Sequence, residues 1–208
     1  MTEPLSLHDT LDLWDYRRRV ADLYASVRAA PADESTWREW KAQRDQLFAT
    51  HPQSAIAAEQ RAAFEGLAYF DYDPSWRVTA ALEPTAGDPL AIGHSDDGAT
   101  DARLFALAHF THHGTEQSLP LYWLDDYSGG LFLPFRDATS GVETYGGGRY
   151  LLDTAKGADL GGPEGGRLVL DFNYAYHPSC AHNPRWSCPL APRASWLDVP
   201  ILAGERLA

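Results

Sequence analysis

The spacing of apolar residues changes along this chain, and that change constrains its fold more than any other feature. Within residues 1–64 apolar side chains recur every three or four positions, as at Val20, Leu23 and Val27. This is the spacing of one face of an α-helix. In residues 76–83 apolar and polar side chains alternate instead, which is the period of a half-buried strand. The order of the two patterns predicts N-terminal helices followed by a β-sheet.

Three helices are expected in the N-terminal part. The first begins after Ser6, where Asp9 completes a capping-box-like pattern, and it ends at Pro31, because a proline cannot continue a helix. A second helix is predicted to start at Ser35. A third and weaker helix is predicted over the alanine-rich residues 54–64, which begin with a serine. Together these helices would form a layer.

Seven short strands are expected after the helices. The predicted strands are residues 76–83, 89–94, 103–111, 118–125, 130–136, 148–152 and 167–172. Short turns without intervening helices favour antiparallel pairing. A sheet of this size commonly closes on itself, because closure removes exposed edges. The expected fold class is therefore mainly β, of the α+β kind, with N-terminal helices packed on an antiparallel β-barrel or barrel-like sandwich.

The last part of the chain, residues 175–208, is rich in proline but also carries tyrosine, tryptophan and cysteine. This composition is too apolar for a flexible linker. We expect an ordered, irregular segment that wraps the sheet, and we call it the strap. The chain is thus expected to form a single domain over 1–208, made of a helical layer (1–66), an antiparallel β-barrel (67–174) and the strap.

Charge and cysteine content limit the partners and the location that we expect. The chain has 29 acidic and 17 basic residues and a formal net charge of −12, which argues against binding to nucleic acid or to an anionic membrane. No apolar stretch reaches the ~20 residues of a membrane span. Residues 1–15 are acidic and lack the apolar region of a secretory signal. With two cysteines, too few for a disulfide framework, we expect a cytoplasmic protein.

The segment 136–150 is the first candidate for a binding site. It holds Arg136 and Arg149, several hydroxyl groups, carboxylates and three consecutive glycines. Glycine amides can form a concave anion site, and the arginine fork matches a carboxylate or a phosphate. The alternative interpretation is a glycine-rich hairpin in which Asp137 and Glu143 neutralise the two arginines across the turn.

The last predicted strand, followed here from Arg167 to Tyr174, provides the second candidate. Its apolar residues share one face, which leaves Asp171 and Asn173 on the other. If the apolar face packs under the helices, these two side chains point into the barrel, where an unpaired charge is costly. Arg136 or Arg149 would be a natural partner for Asp171. Internal pairing and ligand binding both satisfy this pattern.

The strap supplies a possible metal site. Its candidate zinc ligands are His177, Cys180, His182 and Cys188, since tetrahedral zinc is held by such side chains. Their spacing differs from the C-x2-C hairpin of common zinc sites, so buried free thiols are favoured over zinc, and a reversible disulfide is the third interpretation. Burial would raise the pKa of both thiols. We therefore expect packing roles for the cysteines and no metal.

Three runs of the sequence resemble a known family. Phe135–Tyr150, Asp171–Pro189 and Pro200–Arg206 are similar to a family of uncharacterised bacterial and archaeal proteins, domain of unknown function 1684. The looser run 51–73 extends the resemblance over most of the chain. The matching motif positions are Arg136, Asp137, Ser140, Gly141, Glu143, Thr144, Tyr145, Gly148, Arg149, Tyr150, Asp171, Asn173, Tyr176, Pro178, Cys180 and Cys188. The resemblance implies membership and no particular activity.

Two functional hypotheses follow from these residues. In the first, the protein has a small-molecule pocket for an anionic ligand at the barrel mouth, with catalysis as an option in which Asp171 or Glu143 acts as acid or base. The candidate ligand-binding residues are Arg136, Asp137, Ser140, Glu143, Tyr145, Arg149, Asp171, Asn173 and Tyr176. In the second, the same residues form the internal network of a non-enzymatic structural or protein-interaction domain. No reaction, cofactor or oligomeric state is predicted.

Overall fold

The computed structural model describes residues 6–125, 127 and 129–208, and the first five residues of the predicted helical layer lie outside it. Two α-helices open the described part of the chain, α1 over Leu7–Ala29 and α2 over Glu34–Thr50. They occupy the positions of the first two predicted helices. Among the described residues, no helix is long and apolar enough to cross a membrane.

Local capping sets where the two helices begin. The Ser6 side chain accepts a hydrogen bond from the Asp9 amide at 3.1 Å, as the capping-box pattern predicts. The second helix begins one residue before the predicted Ser35. Asp33 is its N-cap, because the Asp33 carboxylate accepts a hydrogen bond from the Thr36 amide at 2.9 Å.

The third predicted helix, residues 54–64, is wrong in type. This stretch contains a 3-10 helix over Ala58–Ala63. The Ser54 hydroxyl donates to the Phe48 carbonyl at 2.5 Å and accepts from the Ile56 amide at 3.0 Å. The serine therefore closes a turn after α2 and does not cap a new helix, which is a common alternative use of this side chain.

All seven predicted strands are present, with ends shifted by a few residues. They are β1 (Arg77–Pro84), β2 (Pro89–Gly93), β3 (Ala99–His112), β4 (Thr115–Leu124), β5 (Gly130–Phe135), β6 (Arg149–Asp153) and β7 (Arg167–Asp171). Each pairing between them is antiparallel. The strand order is β6-β5-β4-β3-β1-β7, and β2 also pairs with β3.

The long strand β3 organises the sheet. Strand β4 pairs with it on one side, while β1 and β2 lie end to end on the other, opposite Ala106–His109 and Ala99–Arg103. The sheet curls into a half-barrel. The described residues do not pair β6 with β7. Instead Tyr176, from the strap, exchanges two backbone hydrogen bonds of 2.8 and 3.0 Å with Tyr150 of β6. The expected fold class, helices followed by a curled antiparallel sheet, is confirmed.

The inner face of the curled sheet forms the main core. Its large buried side chains include Trp76, Phe110, Leu119, Leu121, Leu133, Phe135, Leu151, Leu170 and Phe172. The strap contributes Leu197, Ile201 and Ala203 to the same cluster. Each large apolar side chain buried in this way stabilises the fold by about 1.5–3 kcal/mol. The apolar face of β7 belongs to this core, so the expectation that it packs under the helices is wrong.

The helical layer packs instead on the segment that follows β7. The Trp37 indole nitrogen donates to the Asn173 carbonyl at 2.9 Å. The rings of Trp40 and Tyr174 lie 4.9 Å apart in an edge-to-face arrangement, which is a favoured aromatic geometry. This packing brings the start of the strap against α1 and α2, and the buried polar groups of all three segments meet there.

The end of the strap is hydrogen-bonded to the edge of the sheet just after β5. The Arg136 amide donates to the Ser195 carbonyl at 3.0 Å, and the Leu197 amide donates to the Arg136 carbonyl at 2.9 Å. Two short 3-10 helices, Ser179–Ala181 and Arg193–Ser195, interrupt the strap. Its last residues therefore lie across the ends of β5 and β6.

Candidate functional site

Arg149 and Asp137 form an ion pair that is enclosed by protein. Arg149 begins β6 and stands opposite Phe135, two residues before Asp137. The Arg149 Nη2 and Asp137 Oδ2 atoms are 2.5 Å apart, with side chains 1% and 0% exposed. The other carboxylate oxygen, Oδ1, accepts hydrogen bonds from the Thr139 amide and hydroxyl. Both oxygens of Asp137 are therefore occupied.

The rest of the Arg149 guanidinium holds the strap. It donates to the backbone carbonyls of Ile201, Ala203 and Glu205 at 2.9, 2.5 and 3.2 Å. Its Nε–H has no partner among the described residues and lies in a side chain packed over the Phe135 ring. Burial lowers the pKa of Arg149, and the adjacent carboxylate opposes that shift. This arginine ties three segments together and has little left to offer a ligand.

The glycine run before Arg149 is explained by close packing. Gly148 has φ +97°, and an added Cβ would lie 2.5 Å from the Phe135 carbonyl oxygen. An added Cβ at Gly147 would lie 2.4 Å from the Tyr145 ring. These contacts need glycine. Close packing therefore explains why glycine occupies positions 147 and 148, and the anion site predicted from the sequence is not needed to explain it.

Arg136 and Glu143 form no ion pair with the Arg149 network, and Ser140 contacts that network through the Asp137 backbone amide. The Arg136 guanidinium stacks 3.9 Å above the Trp196 ring, and the Glu143 side chain is exposed. The Ser140 hydroxyl accepts a hydrogen bond from the Asp137 amide at 3.1 Å. The ion pair predicted across this turn thus exists for Arg149 and Asp137, while Arg136 uses a cation-π contact.

Asp171 and Asn173 form a second, separate network. The Asp171 Oδ1 atom accepts from the Asn173 amide and side chain at 3.1 and 2.9 Å. The Asn173 side chain also makes two hydrogen bonds with the Asp73 backbone. Burial raises the pKa of Asp171 despite these bonds. Strand β7 ends at Asp171, so the expectation that both residues share a strand face is wrong.

The charged neighbour of Asp171 is Arg77. Its Nε lies 3.7 Å from Asp171 Oδ2, because the register of β1 and β7 places the two residues opposite each other. The expectation that Arg136 or Arg149 pairs with Asp171 is therefore wrong. Sequence alone gave no means of choosing among the arginines.

A cavity of about 70 Å³ lies between α1, α2 and the strap. Four phenols line it, from Tyr16, Tyr24, Tyr150 and Tyr176, and we call it the tyrosine cavity. Its other lining groups include Arg44, Phe48, Lys156, His177 and Cys188. The Tyr150 hydroxyl donates to a strap carbonyl, that of Pro189, at 2.5 Å. The Tyr24 hydroxyl is buried and has no hydrogen-bond partner among the described residues.

A second buried ion pair stands at the wall of this cavity. Arg44 Nη1 is 2.8 Å from Glu205 Oε2, with side chains 8% and 1% exposed. Arg44 also donates to the Tyr69 hydroxyl at 2.5 Å. Burial alone would raise the pKa of Glu205, but attraction to Arg44 and His177 outweighs burial and holds that pKa well below its ordinary value. Glu205 is thus a buried carboxylate anion.

Sequence reasoning missed this pair. Arg44 is buried on the same face of α2 as Trp40 and Leu47, although its charge favours an exposed position, and Glu205 lies within a resembling run without being singled out. A signal was present, because Glu205 directly follows the uncharged residues 200–204 near the end of the strap. A charge in such surroundings is rarely buried without a partner.

Three potential metal ligands meet near Glu205. One ligand atom from each of His177, His182 and Glu205 lies within 4.8 Å of the others. The Tyr145 amide donates to His177 Nε2 at 3.1 Å, which places the imidazole hydrogen on Nδ1, toward Glu205. A cation would meet that N–H and the Arg44 guanidinium. The cluster therefore does not fit a metal.

The two cysteines are buried together on the other side of Tyr145. The Cys180 amide donates to Cys188 Sγ at 3.3 Å, and the Cys180 thiol donates to the Tyr145 hydroxyl at 3.7 Å. A hydrogen bond from Cys188 lowers the pKa of Cys180 to about 6, whereas the same bond and burial raise the pKa of Cys188. The expected rise of both thiol pKa values is wrong for Cys180, because the hydrogen bond from Cys188 outweighs the upward effect of burial.

The candidate residues thus fall into separate places. Arg149, Asp137 and Ser140 share one network, and Asp171 and Asn173 share another. Of the candidate ligand-binding residues, Tyr176 lines the tyrosine cavity. Tyr145 lies between His177 and Cys180. The other lining residues come from α1 and α2, from residues 150–158 and from the strap, and the sequence did not indicate that these segments enclose a cavity.

This arrangement is that of a helix-covered half-barrel protein whose strap is held by buried ion pairs. The model of a family described as protein of unknown function (DUF1684) matches residues 62–206, and the chain belongs to that family. It is 37% identical to an uncharacterized protein from gene locus rrnAC0354 of Haloarcula marismortui, solved in solution by NMR. The match covers 84% of this chain and 94% of that one, with a TM-score of 0.60. No curated protein matches the chain.

Proposed function

We propose that the protein binds a small, neutral, hydrogen-bonding molecule in the tyrosine cavity. The observation that carries the proposal is Tyr24, which lines the cavity and whose hydroxyl is buried without a partner among the described residues. Leaving a buried hydroxyl unpaired costs about 1–3 kcal/mol. A ligand that accepts or donates one hydrogen bond there recovers part of this cost.

The charges around the cavity support a neutral ligand over the anion expected from the sequence. Arg44 lies 2.8 Å from Glu205, and Lys156 lies 2.8 Å from Asp153. Each cation of the cavity wall therefore already has a carboxylate partner. An anion would have to displace one of these carboxylates, in a chain whose net charge is −12, at the cost of leaving a buried charge unpaired.

The volume limits the size and affinity of the ligand. A cavity of about 70 Å³ has room for about five water molecules. The best small ligands gain at most about 1.5 kcal/mol per non-hydrogen atom, so one of about five such atoms binds with a Kd no lower than about 1 μM. The proposed ligand is therefore a small metabolite held weakly.

Thermal unfolding against a library of small neutral polar molecules tests the proposal. A ligand at about 100 times its Kd stabilises the fold by about 2.7 kcal/mol, which raises the Tm measurably. Tyr24→Phe should weaken binding about fivefold, because it removes one hydrogen bond worth about 1 kcal/mol. Tyr122→Phe is the matched control, since Tyr122 is buried outside the cavity lining and its hydroxyl accepts from Ser195 at 3.4 Å.

Two results would contradict the proposal. One is a library in which no molecule raises the Tm of the wild-type protein. The other is a ligand whose affinity falls equally in Tyr24→Phe and Tyr122→Phe, because that ligand would bind elsewhere.

A non-enzymatic structural role is the second candidate function. The observation that favours it is the enclosed network in which Arg149 holds three strap carbonyls. A network of this kind fixes the strap on the sheet and presents a rigid surface. Binding of a partner protein with no response to any small molecule would support this candidate.

A further inference from the structure

We propose that Cys180 and Cys188 form a redox-active thiol pair, in which Cys180 is the attacking residue and Cys188 the resolving one. Both residues are buried and free. The Cys180 amide lies 3.3 Å from Cys188 Sγ, so the strap folds back on itself and brings the two side chains together. The inference is independent of the ligand proposed for the tyrosine cavity.

The neighbours of Cys180 favour its thiolate. The Tyr145 hydroxyl lies 3.7 Å from Cys180 Sγ and accepts the thiol hydrogen. When the thiol ionises, the phenol can turn and donate to the sulfur, because a hydroxyl serves as donor or acceptor. The Cys188 thiol is a second donor, and hydrogen bonds to the charged form lower the pKa of Cys180 to about 6.

Charged groups near the pair act mainly on Cys188. Lys156 attracts a thiolate at Cys188, but the shared hydrogen bond and burial keep the pKa of Cys188 raised while Cys180 is ionised. Once Cys180 carries a substituent, it no longer competes for the shared hydrogen. The pKa of Cys188 then falls, and Cys188 becomes able to attack.

The reaction is a thiol–disulfide exchange with a low-molecular-weight disulfide such as oxidised glutathione. Cys180 Sγ attacks one glutathione sulfur, which forms a mixed disulfide and releases one glutathione thiolate. Cys188 Sγ then attacks Cys180 Sγ, the Cys180–Cys188 bond forms, and the second glutathione thiolate leaves. The two cysteines lose two electrons and two protons, and the two glutathione thiols receive them.

Access to the pair runs through the loop that joins the two cysteines. Its residues Pro184, Arg185 and Ser187 are exposed. The Ser187 hydroxyl donates to Asp96 Oδ1 at 2.7 Å and lies 2.7 Å from His94 Nδ1, and the Cys188 amide donates to the Ser95 hydroxyl at 3.2 Å. Exposure of Cys180 therefore requires a local opening that breaks these contacts while the sheet stays folded.

Intact-mass measurement of the folded protein after incubation with oxidised glutathione tests the pair. The wild-type protein should lose two hydrogens, gain no adduct and lose both alkylatable thiols. Cys188→Ser should hold one glutathione on Cys180, identified by peptide mapping, and Cys188→Ala serves as a second version of this variant. Cys180→Ser should react at least tenfold more slowly. A wild-type protein that reacts only after denaturation, or an adduct on Cys188 alone, would overturn the proposal.

The alkylation rate of Cys180 against pH tests the role of Tyr145. Tyr145→Phe removes one donor to the thiolate, so the midpoint of the rate profile should move up by about one unit, the equivalent of a hydrogen bond to a charged group. A role in packing alone would change the Tm and leave the midpoint in place, and that result would remove Tyr145 from the proposal.

Discussion

Two buried ion pairs in this protein have the same chemistry and different surroundings. Arg149 and Asp137 are enclosed between the sheet and the strap, where backbone carbonyls take most of the guanidinium hydrogens. Arg44 lines a cavity that four phenols also line, and the Oε1 atom of its partner Glu205 lies 3.4 Å from His177 Nδ1 and 3.0 Å from His182 Nε2. A pair held by backbone carbonyls fixes chain segments together, whereas a pair beside a cavity and two imidazoles can respond to ligand or pH.

The largest expected effect comes from breaking the enclosed pair. Arg149→Met leaves the Asp137 carboxylate buried and unpaired and leaves three strap carbonyls without their donor. Removing one partner of a buried ion pair typically costs about 3–5 kcal/mol. We expect this loss in the free energy of unfolding, measured by urea denaturation at neutral pH.

The double variant Arg149→Met with Asp137→Leu is the control for charge. If the unpaired carboxylate causes most of the loss, the double variant should recover stability relative to Arg149→Met. A single variant that loses less than about 1 kcal/mol, the range of exposed pairs, would show that this pair does not hold the strap.

Breaking the cavity pair should have a smaller effect. Arg44→Met leaves Glu205 with a hydrogen bond from the His177 amide at 3.0 Å and with His182 Nε2 at 3.0 Å from its Oε1 atom. We expect a loss of about 2–3 kcal/mol, below that for an enclosed pair. Urea denaturation under the same conditions measures it. A loss equal to that of Arg149→Met would erase the distinction between the two pairs.

The contributions of Glu205 and Asp171 to stability should change with pH in opposite directions. The pKa of Glu205 is held well below its ordinary value near 4.5. A carboxylate with a lowered folded-state pKa stabilises the fold above its unfolded-state pKa, and this contribution disappears as the pH falls through the folded-state value. The stability advantage of wild type over Glu205→Gln should thus be constant at about pH 5–7 and shrink below about 4.5.

Asp171 should show the opposite trend. Burial raises its pKa, so its contribution is present below the unfolded-state pKa and is lost as the pH rises through the folded-state value. Wild type relative to Asp171→Asn should therefore lose stability with rising pH over the acidic range. Parallel pH profiles for the two variants, measured by urea denaturation, would contradict these assignments.

The sequence was sufficient for the elements whose causes are local. Alternation indicated the strand at residues 76–83, and short runs between turn residues indicated the other strands. The Ser6 cap was visible from Asp9 three positions later. The failure at Ser54 has a local cause as well, since its hydroxyl bonds back to the Phe48 carbonyl, and a serine pattern alone does not distinguish a turn from a cap.

The partners of the charged residues were not predictable in this way. Arg149 is more than 50 positions from the strap carbonyls that it binds. Arg44 and Glu205 come from opposite ends of the chain. Such pairs depend on the register of strands and the path of the strap. The sequence indicated that Asp171 needs a partner, and only the β1–β7 register identified Arg77.

The smallest expected effect compares two hydroxyls of the tyrosine cavity. Tyr150 donates to the Pro189 carbonyl at 2.5 Å, whereas Tyr24 has no partner among the described residues. Tyr150→Phe should cost about 1 kcal/mol, the net value of one hydrogen bond, and Tyr24→Phe should be neutral or stabilising by a few tenths of a kcal/mol. Thermal and urea unfolding without ligand measure both. If Tyr24→Phe costs as much as Tyr150→Phe, the Tyr24 hydroxyl is already bonded, and the cavity loses the group proposed to receive its ligand.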